Sequence, residues 1–470
     1  MNTKNDGFSK TSSSDVEFEG IVIVGGGIAG LSTAVALHRF GLRSLVLEKT
    51  DSLRTTGAAL TLLTNAWKAL DYLGVADSIR RQHPQIKRAQ VTSIPSGITK
   101  EVSYASSGKH GNHEIRSVQR SVLLGTLAEE LPPGTIRFNS KVVSIQQTEN
   151  SSLTEIHLRD GAYIKAKVIQ RQNVLKAKGV CTKKDLGCKI RNTLKLFKDQ
   201  CPIYVRLYYK HAPLHWTLPH TSHEIILWFS EWLGFKPPSL SGRSAIRGLA
   251  TYPEGHKFEP KVEEYWGENL RAGFVPCNDK DVYWFTTQRS HPHDSEIADD
   301  PKLILEFAVE KLGDFPEPMA DMVKKSQIDT LTLAPLTLRW PWEVLIGRLS
   351  KGNVCVIGDA MHPMTPDLGQ GGGATLEDAV VLGRCLGKAM TTMDGLKDEK
   401  RIEEALNKFV EERRWRAFWL ISGAYLTGIV QQGYGGIVMR FLRDKFLGRK
   451  LADNILNQAD FDCGDLMQIK

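Results

Sequence analysis

Three glycines near the amino terminus have the spacing that lets a backbone hold a pyrophosphate. Gly25, Gly27 and Gly30 form the pattern G-x-G-x-x-G, and Glu48 follows 18 residues after Gly30. In this pattern the glycines allow a tight turn, a close approach to phosphates and close packing of a helix on a strand. Free N–H groups at the helix start attract the phosphates, and the acid accepts hydrogen bonds from a ribose. These residues predict a dinucleotide site.

A second group of residues, far along the chain, suits a flavin. Asp359 follows the apolar run Asn353–Ile357, and Pro366 precedes the glycine-rich run Gly369–Gly373. An aspartate at the end of a strand is placed to accept hydrogen bonds from a polyol chain. A helix that opens with glycines turns its N–H groups toward an anion, and reduced flavin is such an anion. The second group therefore favours FAD over NAD, which the first group alone does not distinguish.

Short apolar runs and helical segments must position both groups. Ile21–Val24 is typical of a buried parallel strand, Leu31–Phe40 predicts a helix, and Ser44–Leu47 predicts a second strand. With the glycines and the acid in order, these segments complete a βαβ unit, which a lone glycine motif does not. Asn353–Ile357 predicts another buried strand, and a helix is expected over Ala374–Leu386.

These motifs resemble the FAD-dependent aromatic-hydroxylase family, and especially the plant monooxygenases related to salicylate hydroxylase. The resemblance covers about residues 18–169 and 231–465. The motifs that carry it are Gly25–Gly30 with Glu48, Ser117–Arg120, Gly358-Asp359, Pro366–Gly371, Gly242–Gly248 and Asp462–Gly464. It implies an α/β fold: an FAD-binding βαβ (Rossmann-like) domain, an antiparallel-sheet substrate domain and C-terminal helices.

The resemblance also implies a set of cofactor-binding residues. Glu48 would hold the ribose, Arg120 would contact the pyrophosphate or ribityl region, and Asp359 would bind the ribityl hydroxyls. Arg54 and the loop Thr56–Ala58 would lie near the flavin. The full set is Gly25, Gly27, Ile28, Ala29, Gly30, Glu48, Arg120, Asp359, Pro366, Gly369, Gly371 and Gly372.

The activity that the resemblance implies is monooxygenation. NADPH or NADH would reduce FAD, O2 would add at C4a to give a hydroperoxide, and one oxygen atom would pass to a small organic, aromatic substrate. Because the cofactor supplies this chemistry, no catalytic residue and no metal ligand are predicted, and His362 is expected to pack beside its loop. Two alternatives remain: an FAD oxidase or reductase without oxygen insertion, and an inactive FAD-binding product.

The inactive alternative arises because one family element is missing. A Cys-Asp-Gly-x-x-Ser stretch should follow the strand Tyr163–Ile169, but Gln170-Arg171-Gln172 follows instead. Residues 170–230 carry eight Lys and three Arg against three acids, and they hold three of the seven cysteines and four of the thirteen histidines. The segment is either an inserted lobe or a retained intron, and its abrupt change of composition favours the intron. A zinc site is less favoured, because no closely spaced cysteine pair accompanies the histidines.

Composition limits the remaining classes. The net charge is +8, and residues 170–230 account for all of it, so a basic nucleic-acid-binding surface is not expected. Seven cysteines in 470 residues are too few for a disulfide scaffold. Ala417–Met439 is uncharged, but it contains Gln431-Gln432 and Gly433–Gly436, which favours docked helices over a membrane span. Peripheral membrane contact is the less favoured alternative.

The chain is expected to divide as follows. Residues 1–18 form a disordered leader without an apolar signal core, which favours the cytoplasm without excluding a plastid. Residues 19–169 and 340–400 form the FAD-binding domain, interrupted by the insertion 170–230 and by the substrate-binding sheet 231–339. Residues 401–470 form helices. Trp284, Phe285, Trp340 and Trp342 are candidates to line an apolar cavity.

Overall fold

A computed structural model describes most of the chain. The described residues are 17–53, 58–147, 153–171, 233–313, 315–391, 398–431 and 448–466. Several predictions fall outside them: most of the leader, Arg54–Gly57, nearly all of the insertion with its cysteines and histidines, and residues 432–447.

The described residues form strands and helices in the following order. The strands are β1 (Glu17–Val24), β2 (Leu45–Leu47), β3 (Ala59–Leu62), β4 (Arg88–Ser93), β5 (Thr99–Ser103), β6 (Ser107–Gly108), β7 (Gly111–Asn112), β8 (Arg116–Gln119), β9 (Ile136–Arg137), β10 (Val142–Gln147), β11 (Thr154–Leu158), β12 (Tyr163–Arg171), β13 (Ser239–Thr251), β14 (Val262–Trp266), β15 (Leu270–Pro276), β16 (Asp281–Arg289), β17 (Thr332–Leu338), β18 (Ser350–Lys351) and β19 (Val354–Val356). The helices are α1 (Ile28–Arg39), α2 (Thr64–Leu73), α3 (Ala76–Arg80), α4 (Arg120–Glu129), α5 (Asp294–Ile297), α6 (Pro301–Lys311), α7 (Glu317–Lys324), α8 (Pro341–Ile346), α9 (Gly371–Met390), α10 (Glu399–Gln431) and α11 (Gly448–Ala459). Single 3-10 turns cover Ile328–Thr330, Gly358–Ala360 and Pro366–Leu368.

The first sheet is organised around β12. One edge of β12 pairs with β1 in parallel along its length. The other edge pairs first with β11, antiparallel, and then with β19, parallel, at Ile169–Arg171. The βαβ unit predicted from the sequence is present, since β1, α1 and β2 follow one another and β2 pairs with β1 in parallel. The helix begins three residues earlier than predicted, because Gly27 is its N-terminal cap.

Helices α1 and α9 pack closely. A Cβ atom on Gly383 of α9 would lie 2.4 Å from Ala36 Cβ of α1, so the contact requires a glycine. Helix α9 begins at Gly371, three residues before the predicted start, because its glycines join the helix.

The second sheet has the order β17-β13-β16-β15-β14-β4-β5. Its neighbours are antiparallel, as expected for the substrate domain, except that β14 and β4 pair in parallel. Strands β4 and β5 come from residues that the sequence division assigned to the FAD-binding domain. They join the second sheet because pairing at its edge satisfies their backbone hydrogen-bonding groups. The local sequence does not reveal which sheet they join.

Helix α10 runs without interruption through Ala417–Gln431. Two helices were expected across Ala417–Met439; the structure shows one as far as Gln431, and the remaining residues are outside the described part. Within the described residues, no helix is both long and apolar enough to cross a membrane.

Candidate cofactor site

The first turn of the site needs glycine at two positions. Gly25 has a φ of 112°, and its N–H donates to Leu47 O at 2.9 Å. A Cβ on Gly30 would lie 1.9 Å from Gly25 O, so the turn and helix α1 are too close for any side chain. Gly27 caps α1 without a side-chain hydrogen bond, and the buried Ile28 and Ala29 begin the helix. The start of α1 therefore receives no capping hydrogen bond from the side chain of its N-terminal cap.

Glu48 lies at the end of β2 and is held against this turn. Its Oε2 accepts a hydrogen bond from Gly26 N at 2.7 Å. Its Oε1 accepts from Thr50 N at 3.1 Å and from Thr50 Oγ1 at 2.8 Å. A carboxylate has about four acceptor positions, so these bonds orient Glu48 and leave capacity for a hydroxyl donor.

The second turn contacts the first. A Cβ on Gly358, which has a φ of 58°, would lie 3.3 Å from Ala29 Cβ. Asp359 follows in the 3-10 turn Gly358–Ala360. Strand β12 explains the meeting, because Arg171 pairs with Val24 on one side and with Val356 on the other. The strands that lead into both turns thus lie on either side of the carboxyl end of β12.

The charges of two arginines, Arg120 and Arg247, affect the pKa of Asp359. Burial raises the pKa of Asp359 above its ordinary value, and the charges of His362, Arg120 and Arg247 partly oppose the rise. Arg120 is the first residue of α4, and its N–H donates to Ala58 O at 3.3 Å. The structure thus brings the predicted Arg120 and Asp359 into one electrostatic group. Arg247, in β13, was part of a motif in the sequence but had no predicted role.

A glycine-lined surface follows the second turn. Pro366 begins a 3-10 turn, Gly369 ends it with a φ of 64°, and α9 then begins at Gly371. A Cβ on Gly371 would meet no atom within 4 Å, whereas one on Gly372 would lie 3.6 Å from Leu62 Cδ2 of β3. The side chain of Gln370, the N-terminal cap of α9, makes no capping hydrogen bond to the helix. We name Pro366–Gly372 the glycine loop; it presents uncapped N–H groups beside open space.

Buried ionic groups fix these turns, and sequence reasoning missed most of them. Asp378 of α9 accepts hydrogen bonds from Gly358 N at 2.9 Å, His362 Nε2 at 2.6 Å and Arg413 Nε at 2.7 Å. Burial alone would raise the pKa of Asp378, but the charges of His362 and Arg413 lower it to about 2. The fully buried His362 packs beside its turn, as expected. The adjacent acids Glu377-Asp378, inside an otherwise apolar helical pattern, were the available signal.

A second missed residue is Arg339. Its side chain is buried, and it donates to Met361 O at 3.1 Å and to Lys236 O at 2.9 Å. Burial lowers the pKa of Arg339 to about 10, which leaves it charged at neutral pH. Arg339 therefore holds the carbonyl side of the second turn, while Asp378 holds its N–H side.

The aromatic candidates separate onto different surfaces. Trp284 is fully buried on the helix-covered face of the second sheet, where its Nε1 donates to Ser326 Oγ at 2.7 Å. Trp342 is 53% exposed and stacks on Trp340, with ring centroids 4.9 Å apart. Phe285 lies on the opposite face from Trp284, beside Tyr283, and contacts the cluster that contains Ala58. Phe285 therefore lies on the face of the second sheet that contacts Ala58 and Ala59.

The Cys-Asp-Gly-x-x-Ser stretch that this sequence lacks is expected directly after the end of β12. The strand extends two residues beyond the prediction, to Arg171, and the chain that follows is outside the described residues until residue 233. The turn at Asp160-Gly161 is a hairpin between β11 and β12, with Gly161 N donating to Leu158 O at 3.1 Å.

The arrangement fits FAD. Glycines at the first turn leave room for a pyrophosphate, and the N-terminal caps of α1 and α9 make no side-chain hydrogen bond to their helices. Glu48 and Asp359 supply carboxylate acceptors beside the two turns, which suits the hydroxyl groups of FAD. The open space beside Gly371 suits a flat ring next to N–H donors.

Comparisons with known proteins agree with this fit. The family model described as "FAD binding domain" matches residues 19–168 and 326–417. Monooxygenase 2 of Arabidopsis thaliana is 39% identical over 456 residues, covering 95% of this chain and 98% of the relative. Monooxygenase 1 of the same plant is 35% identical over 452 residues, covering 95% and 99%.

A solved structure shows the same fold at lower identity. The crystal structure of Klebsiella pneumoniae HpxO complexed with FAD and uric acid has a TM-score of 0.68 and 21% identity, covering 93% of this chain and 97% of that one. The matched FAD-binding segments contain both turns, α1 and the glycine loop. The chain therefore belongs to the family of FAD-binding flavoprotein monooxygenases of the aromatic-hydroxylase type.

Proposed function

We propose that this enzyme uses NADPH or NADH and O2 to hydroxylate a small aromatic substrate. The observation that carries the proposal is the contact between the two turns, where Gly358 lies against Ala29. One extended cofactor can reach both turns, and the uncapped start of α9 lies beyond the second. Bound FAD, once reduced, supplies the reaction with O2 and the transfer of one oxygen atom.

The residues of the chain divide the work of binding. Glu48 accepts hydrogen bonds from the ribose, and the start of α1, at Gly27 to Gly30, faces the pyrophosphate. Asp359 accepts from the ribityl hydroxyls, and Arg120 supplies positive charge nearby. Gly369, Gly371 and Gly372 lie against the flavin ring, where their N–H groups stabilise negative charge.

The second sheet supplies the substrate wall. Phe285 and Tyr283 stack with ring centroids 6.0 Å apart on the face away from Trp284. Flat apolar rings on this face suit a small aromatic molecule and keep water from the reacting atoms.

Oxygen-18 labelling tests the proposal. Purified protein with bound flavin is given NADH or NADPH, a panel of phenols and aromatic acids, and labelled O2. Labelled hydroxylated product is expected from at least one compound. Nucleotide oxidation that yields only hydrogen peroxide across the panel would favour an oxidase or reductase.

One observation favours an inactive FAD-binding product as the second candidate. Strand β12, which should lead into the family's Cys-Asp-Gly-x-x-Ser stretch, ends in Gln170-Arg171, between the strands that lead into the two turns. Sequencing the mature transcript across this point separates the candidates. A message without the segment, with the Asp-Gly stretch restored, would assign the activity to that product. Flavin that NADH and NADPH both fail to reduce in the present chain would support inactivity.

A further inference from the structure

A buried cluster of four charges joins the second sheet to the glycine loop. Arg243 of β13 makes a two-pronged ion pair with Asp367 of the loop, with Nη1–Oδ1 at 3.0 Å and Nη2–Oδ2 at 2.6 Å. The two side chains are 4% and 0% exposed. A pair this well buried is held by geometry as well as by charge.

Two further charges complete the cluster. Arg271 of β15 places Nη1 3.7 Å from Asp367 Oδ1. Its Nη2 donates to Glu264 Oε1 at 2.6 Å, and its Nε donates to Glu264 Oε2 at 3.1 Å. The cluster of Arg243, Asp367, Arg271 and Glu264 therefore alternates in sign and is neutral overall. Neutrality limits the cost of removing four charges from water.

Helix α10 closes the cluster on another side. A Cβ on Gly428 would lie 2.4 Å from both Arg243 Nη2 and Asp367 Oδ2. The helix can pass this closely only because residue 428 has no side chain. This packing keeps water from the Arg243–Asp367 pair. The low polarisability of the surroundings strengthens the electric field of the pair.

The cluster lies between the substrate wall and the proposed flavin surface. Asp367 precedes Gly369, the left-handed residue of the glycine loop, by two positions. On the sheet side, the Arg271 guanidinium carbon lies 5.0 Å from the centroid of the Phe285 ring. A charge change in the cluster therefore acts on both surfaces at short range.

We propose that the four-charge cluster positions the glycine loop and sets the reduction potential of the flavin beside it. The inference rests on the proposed FAD function. Reduced flavin is anionic, so a net positive cluster stabilises it and raises the potential, whereas a net negative cluster lowers the potential. The neutral native cluster holds the potential between these limits.

Two variants that leave opposite net charges separate tuning by charge from simple loosening of the loop. Asp367→Asn and Arg243→Gln break the same ion pair but leave net charges of opposite sign. The flavin midpoint potential, measured by reductive titration against a reference dye, is expected to rise in Asp367→Asn and fall in Arg243→Gln. Arg88→Gln, which removes an arginine with a 42% exposed side chain from strand β4 of the same sheet, is expected to leave the potential near the wild-type value.

Shifts in one direction for both variants, or no shift, would overturn the charge role. Arg243→Lys keeps the charge but loses the two-pronged geometry, so it should preserve the potential while lowering the midpoint temperature of unfolding. If Asp367→Asn fails to fold, the comparison of Arg243→Gln with Arg243→Lys decides: equal potentials refute the proposal. If the wild-type protein binds flavin and the variants have the wild-type flavin potential, this inference alone is refuted. If the wild-type protein binds no flavin, the proposed function is refuted as well.

Discussion

Asp378 Oδ2 accepts a hydrogen bond of 2.9 Å from the backbone N–H of Gly358, so helix α9 and the turn that carries Asp359 are tied directly. The same carboxylate also binds His362 and Arg413. Because the glycine loop opens α9, this carboxylate fixes the distance between the two proposed flavin contacts.

Removing that carboxylate should destabilise the protein and release the cofactor. Asp378→Ala leaves Arg413 and His362 without their shared partner in a fully buried place, which costs about 3–5 kcal/mol. Chemical unfolding and flavin absorbance measure the two losses. Asp321→Ala is the matched control, because its ion pair with Lys325 is exposed and worth about 0–1 kcal/mol. Equal losses in both variants would contradict the assigned role.

His362 should make stability fall as pH rises above 6.5. Burial alone lowers its pKa, but the charge and hydrogen bond of Asp378 outweigh burial, and the pKa is raised above its ordinary value of 6.5. The stabilisation is therefore fully present below pH 6.5 and is lost as pH rises through the raised pKa. Melting temperatures recorded across this range should show the decline. It should disappear in His362→Gln and persist in His293→Gln, whose imidazole is exposed; persistence in both would argue against His362 as its source.

Gly30→Ala should abolish flavin binding. The added methyl group would lie 1.9 Å from Gly25 O, and a backbone atom can move aside only by breaking the turn. Gly125→Ala is the control: it is also in a helix, its Cβ would meet nothing within 4 Å, and it should be neutral or stabilising by about 0.5–1 kcal/mol. Flavin absorbance per mole of protein measures the cofactor occupancy of both variants. Normal occupancy in Gly30→Ala would show that the turn is not the phosphate site.

Glu48→Gln should weaken FAD binding about tenfold, equivalent to about 1.4 kcal/mol. The amide keeps the size of the side chain but replaces one carboxylate oxygen, and the negative charge, with an N–H₂ donor. Fluorescence titration of the apoprotein with FAD gives the dissociation constant. Asp51→Asn changes the charge of a nearby exposed acid and should leave the constant unchanged. An unaltered constant in Glu48→Gln would remove Glu48 from the site.

Local patterns predicted the elements of the site, but not the contacts that hold them. Gly25 to Gly30, Glu48 and Asp359 lie in short segments whose periodicity indicates strand, turn and helix. The partners of Asp378 come from two other segments, the turn that contains Gly358 and His362 and helix α10 with Arg413, so no local pattern joins them. The opposite faces of Trp284 and Phe285 were predictable, since neighbouring residues of a strand point to opposite sides of a sheet.

The pairing of β12 with β19 has a consequence for biosynthesis. The strand ends at Arg171, and its partner begins only at Val354. At about 5–20 residues per second, the roughly 180 intervening residues take on the order of 10–40 s to translate. During that interval the last three residues of β12, Ile169–Arg171, await their partner on this edge, and an uncovered edge can recruit another chain. Nascent polypeptides that terminate before residue 354 should therefore aggregate or depend on chaperones, whereas those that reach Val356 can complete the sheet.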